Sequence, residues 1–106
     1  MNFEEQVEAA LGELPPEIAA ALENVAIVVE EENADEPDLY GWYDGFGPGV
    51  DHAGALPDRI VLYRRPLEET FPREEDLRRE IRITVLHEIA HFFGLDEDRI
   101  RELGYG

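Results

Sequence analysis

The sequence predicts an α+β domain, with a small mixed sheet drawn from roughly residues 25 to 64 and packed on an N-terminal helical pair and a long helix in the second half. Three observations carry this expectation. Short runs rich in β-branched and aromatic residues cluster in the middle of the chain, at Val25-Ala26-Ile27-Val28-Val29, Leu39-Tyr40-Gly41-Trp42-Tyr43 and Arg59-Ile60-Val61-Leu62-Tyr63-Arg64. Apolar residues at helical spacing occupy both flanks. At 106 residues and 43% hydrophobic content, positions 1–106 hold enough material for one core and too little for two.

Taken in order, Asn2 and Glu5 match a capping box, and Phe3, Val7, Ala10, Leu11 and Leu14 then recur along one helical face. Gly12 weakens the end of this helix and Pro15-Pro16 stops it. Pro16 suits the opening of a shorter second helix that turns Ile18, Ala19 and Leu22 inward. The run from 25 to 29 reads as a buried strand, and Glu30 to Asp38 as a solvated acidic loop after it. Leu39 to Tyr43 reads as a second, aromatic strand at an edge. Asp44 to Pro57 holds four glycines, and so long a loop in a small domain is usually functional or mobile.

Arg59 to Arg64 is the third strand, with Pro66 closing it. Such a strand can bind an extended peptide by strand addition, or be an ordinary internal strand. Thr70 to Asp76 announces the long helix, where Pro72 fits the first turn and the following acids suit the positive end of the dipole. Leu77, Ile81, Val85, Ile89 and Phe92 form its buried side. Asp96 to Leu103 predicts a short last helix, packed down by Ile100 and Leu103 and ended by Gly104.

The chemistry sits in His87-Glu88-Ile89-Ala90-His91. Residues four apart share a helix face, so two imidazoles can reach one ion, while Glu88 is one step round, where a general base is needed. Gly94 tolerates the left-handed conformation that ends a helix and reverses the chain, which can return Asp96, Glu97 or Asp98 towards the imidazoles. Zinc is favoured, because two imidazoles and one carboxylate make a three-donor catalytic set. Iron uses similar donors, but the glutamate between the histidines suits hydrolysis better than oxygen chemistry. His52, alone in the glycine-rich loop, reads as solvent-exposed more readily than as a ligand. Thr84 and Glu80 fall on the histidine side and read as solvated. Tyr105 offers a phenol donor near the site.

Charge excludes some partners. The net charge is −17, and residues 1–58 carry acids with no lysine or arginine at all. Phosphate backbones and anionic lipid surfaces are therefore poor partners; the acidity either serves solubility alone or can draw in basic peptides. There is no cysteine, hence no disulfide framework or thiolate chemistry. The N-terminal MNFEEQVEAALGELPP is acidic where a signal peptide is basic, and no apolar run reaches membrane-spanning length. A soluble, cytoplasmic protein, monomeric or weakly associating, is expected.

Leu39-Tyr40-Gly41, Leu56-Pro57-Asp58-Arg59-Ile60, Tyr63-Arg64-Arg65-Pro66-Leu67-Glu68 and the ending HEIAHFFGLDEDRIRELGY resemble the small bacterial metzincin-like zincin family. The resemblance implies a minimal zincin-like fold and a zinc metallopeptidase acting on peptides or proteins. It also implies metal ligands His87, His91 and Glu97, with Glu88 as the catalytic base. The family motif resembles HExxHxxGxx(H/D), so Glu97 departs from the usual histidine or aspartate, with Asp96 and Asp98 as substitutes. No methionine stands where larger metzincins place one beneath the metal, the only one being Met1. The alternative from a different class is a non-catalytic acidic interaction module with a structural or vestigial metal.

Overall fold

Asn2 starts the first helix as its spacing predicts. Its side chain accepts from the Glu5 backbone at 2.8 Å, while the Glu5 carboxylate accepts from the Asn2 backbone at 2.9 Å, so two otherwise orphaned donors are satisfied reciprocally. In this computed structural model, which describes residues 1–45 and 58–102, helix α1 runs Phe3–Gly12 and buries Phe3, Val7 and Ala10. Gln6 is buried with them. Helix α2, Pro16–Ala21, begins on its proline as expected but is shallow. Ile18 and Leu22 pack partly against the core, whereas Ala19, expected inward, is exposed and Ala21 takes its place.

The sheet has three strands, β1 Val25–Glu30, β2 Gly41–Asp44 and β3 Asp58–Tyr63, in the order β1-β3-β2. β1 pairs parallel to β3, with Val25 opposite Asp58, and β2 pairs antiparallel, with Gly41 opposite Leu62. Strand β1, expected buried, lies at one edge and fully buries only Val25. The central position belongs to β3, whose Ile60, Val61, Leu62 and Tyr63 are all buried. Paired on both sides, β3 has no free edge for a peptide. That role can fall only to an edge strand, and β2 is the one against the long helix.

Pro66 does not end a strand in extended chain. It is the third residue of an unpredicted helix α3, Arg64–Thr70, in the first turn, where a missing N–H leaves no helical bond unmade. Arg64 and Arg65 at its start hold the loop after β1. Arg64 pairs with Glu31, and Arg65 pairs with Glu32 at 3.1 Å and donates to the Pro37 carbonyl. The Asn33 amide donates to the Tyr63 hydroxyl at 3.0 Å, so this acidic loop is strapped to the sheet rather than merely solvated.

Helix α4 spans Glu74–Phe92. Pro72 lies two residues before it, not in its first turn, while Glu74, Glu75 and Asp76 do occupy that turn. Leu77, Ile81, Val85 and Ile89 interlock with α1 and the sheet in one cluster with Phe3, Val7, Ile60 and Leu62. Each such side chain contributes about 1.5–3 kcal/mol by leaving water. Thr84, read as solvated, is 7% exposed because β2 covers it, and its hydroxyl bonds back to the Glu80 carbonyl at 2.8 Å. Helix α5 follows at Glu97–Glu102, one residue after the expected start; Leu103 and Gly104, expected to end it, lie outside the described residues. Among the described residues, no helix is long and apolar enough to cross a membrane.

Candidate metal centre

The C-terminal end of α4 builds the site. Gly94 has φ +80, the Gly94 N–H donates to the His91 carbonyl at 2.8 Å, and the Leu95 N–H donates to the Ala90 carbonyl at 3.0 Å. These two bonds form a Schellman cap, which reverses the chain within three residues. Asp96 then accepts from the Arg99 backbone at 2.9 Å and opens α5. The reversal carries Glu97 back over α4, where its Oε1 lies 3.2 Å from His87 Nε2 and 2.8 Å from His91 Nε2.

Of the three acids that the sequence leaves open, only Glu97 meets both imidazoles. Asp96 is used as a helix cap, and Asp98 points to solvent beside Arg101, its side chain 87% exposed. The imidazole rings of His87 and His91 stand 5.0 Å apart, edge to face. Donor atoms of His87, Glu88 and His91 lie within 4.8 Å of one another, as a group that could hold a metal ion. His52 and Tyr105 fall outside the described residues.

Glu88 is 8% exposed. Burial pushes its carboxyl above the ordinary glutamate range, against the opposing pull of charge on His87 and His91; the Glu97 carboxylate adds to the rise, and a hydrogen bond from the Tyr43 backbone N–H opposes it. Glu97 behaves oppositely. Its slight burial would raise it, but charge and hydrogen bonds from His87 and His91 together hold it below its ordinary value.

The other wall is β2. The Tyr63 N–H bonds to the Tyr40 carbonyl, and because inward and outward residues alternate on an antiparallel strand, Gly41 and Tyr43 turn their backbone groups away from β3. Gly41 lets this edge press on the helix, since a Cβ there would lie 2.6 Å from Thr84 Cγ2 and 3.5 Å from Glu88 Cγ. Between the two elements runs a cleft of about 420 Å³, lined by Leu39, Gly41, Trp42, Tyr43, His87, Glu88, His91 and Glu97. A smaller recess of about 270 Å³ adjoins it, walled by Leu39, Tyr40, Ile83 and Thr84. The sequence reading passed over β2 as a site wall, although a glycine inside an aromatic strand marks close approach by another element.

A family model described as zincin-like metallopeptidase matches residues 22–106. The chain belongs to that family. The match takes in the whole sheet, both arms of the α4 reversal and every donor just described, and leaves α1 and α2 before it. Comparison with curated proteins finds no match. As a zincin-like chain it carries the HExxH pair on α4, with the intervening glutamate buried between helix and edge strand.

Proposed function

We propose that this zincin-like protein hydrolyses peptide bonds, with a zinc ion held by His87, His91 and Glu97 and with Glu88 as general base. The observation that carries the reading is a single Glu97 oxygen 3.2 and 2.8 Å from two imidazole nitrogens one helical turn apart. Two nitrogens and one carboxylate oxygen are the donor set of a catalytic zinc site, so the residues present fit that ion. Zinc, when bound, supplies Lewis acidity that polarises a carbonyl and acidifies water.

The chain's own residues do the rest. Glu88 takes a proton from water onto a carboxylate oxygen and hands it to the departing amine nitrogen, a task suited to a carboxyl whose pKa burial has raised. The outward carbonyls of Gly41 and Tyr43 and the Gly41 N–H offer an extended peptide a strand to pair with. The apolar recess beside Glu88 accepts one apolar side chain of that peptide. A net charge of −17 favours neutral or basic peptides over acidic ones.

The test has two parts. Metal analysis of native protein should find one zinc per chain, and Glu88→Gln should keep that zinc while losing about 10²–10⁴-fold in peptide turnover. A zinc-loaded wild type that cleaves nothing across a broad peptide library would refute the reading and leave the acidic interaction module.

A further inference from the structure

We infer that Asp58 and the Tyr43 hydroxyl are positioning groups for Glu88, their hydrogen bond fixing edge strand β2 at the depth where it confines the Glu88 carboxylate. The effect on turnover rests on the peptidase reading; the confinement itself does not.

Asp58 begins the central strand and is only 2% exposed, although it is a carboxylate. It accepts from the Tyr43 hydroxyl at 2.6 Å. The chain leaving β2 folds tightly over it, since a Cβ on Gly45 would fall 2.2 Å from Asp58 Cγ. Burying a carboxylate is costly unless it is hydrogen-bonded, so this arrangement strongly favours a Tyr43 position that keeps the hydroxyl in place.

Tyr43 is held at a second point, its ring meeting Phe92 edge-on at 5.9 Å, one residue beyond His91. Strand β2 is four residues long and, among the described residues, is hydrogen-bonded to a strand on one side only. Its height over α4 is therefore set by side chains: Gly41 removes a Cβ above Glu88 Cγ and Thr84, and Tyr43 is pinned at ring and hydroxyl. With those points fixed, the outward N–H of Tyr43 faces the Glu88 carboxylate. Asp58 acts through Tyr43, whose hydroxyl donates to it.

The experiment compares Tyr43→Phe, which removes the hydroxyl, with Asp58→Asn, which keeps an acceptor for it. On a peptide that zinc-loaded wild type cleaves, Tyr43→Phe should lower kcat about 10- to 100-fold, the scale of a small misplacement at a reacting centre. Zinc affinity should stay within about twofold, and Asp58→Asn should lose less kcat than Tyr43→Phe.

Amide hydrogen exchange gives a readout without turnover. The residue-43 amide should exchange at least about tenfold faster in Glu88→Ala and in Tyr43→Phe than in wild type or Asp58→Asn. If Tyr43→Phe does not fold, Asp58→Glu, which moves the acceptor by one methylene, takes its place with the same expectation. Unchanged exchange in Glu88→Ala would overturn the inference, as would wild-type kcat in Tyr43→Phe or equal losses in Asp58→Asn and Tyr43→Phe. If wild type cleaves nothing, the peptidase reading falls while the exchange arm still decides the positioning.

Discussion

Replacing Gly41 by alanine would put a methyl 2.6 Å from Thr84 Cγ2 and 3.2 Å from the Val61 carbonyl oxygen. Carbon atoms rest at about 3.5–4.0 Å, so roughly 1 Å must be found at the first contact. Neither neighbour gives way freely. Thr84 lies inside α4 with its hydroxyl bonded to the Glu80 carbonyl, and Val61 lies in the central strand. Overpacking of this kind costs about 1–3 kcal/mol, and each kcal/mol is worth about 4–8 °C in Tm for a domain of this size.

Thr84→Ser deletes the methyl that Gly41→Ala would strike. Alone it should cost about 0.8 kcal/mol, the value of one buried methyl-sized group. Combined with Gly41→Ala it should recover part of the loss, giving a coupling of about 0.5–3 kcal/mol, while the Val61 contact keeps the rescue incomplete. Urea unfolding of zinc-free protein, with the four corners of the cycle measured together, reads this directly. A Gly41→Ala variant within about 0.5 kcal/mol of wild type, or strictly additive changes, would refute the close approach of β2 to α4.

Gln6 is 1% exposed and, among the described residues, neither amide atom has a hydrogen-bond partner, so Gln6→Leu should raise the stability of zinc-free protein by about 1–3 kcal/mol in a denaturant titration. Glu88 binds its proton more tightly folded than unfolded, so the folded state holds the extra proton above about pH 4, and stability falls as pH rises through that window. Glu88→Gln removes this loss, and with metal chelated its Tm advantage over wild type should widen from pH 4 upward; a flat difference would contradict it. Zinc affinity measured by calorimetry should fall in Glu97→Ala by more than the 10–100-fold that an outer partner is worth, and Asp98→Ala should leave it unchanged. Ile83→Trp should fill the recess and lower kcat/KM for peptides with a large apolar residue about tenfold or more relative to their alanine counterparts.

Much of this was legible in the residues because local rules governed it. The capping box at Asn2 and Glu5, the glycine reversal at Gly94, and the four-residue spacing of His87 and His91 each depend on neighbours within a turn or two. What escaped the sequence depended on partners far along the chain. Strand β1 and strand β3 carry similar apolar runs, and only the crossover that places β3 between two partners decides which is buried. Helix α3 was hidden because its proline sits in the first turn and buries only with Leu67, too short a pattern to show a period. Thr84 looked solvated because its cover arrives from β2, and nothing local marks Asp58, because the Tyr43 hydroxyl that donates to it lies 15 positions earlier. Which of Asp96, Glu97 and Asp98 comes back over the imidazoles follows from which one caps α5, and composition alone does not reveal that.

The interleaved strand order also dictates when this molecule can assemble. Val25 pairs with Asp58 and Gly41 with Leu62, so neither outer strand has a partner until the middle one has left the ribosome. Until then a nascent chain exposes two unsatisfied ladders, shielded chiefly by their own surplus of negative charge. A mutation that neutralises acids around β1 would be felt first as aggregation during synthesis, before any loss of stability in the finished protein.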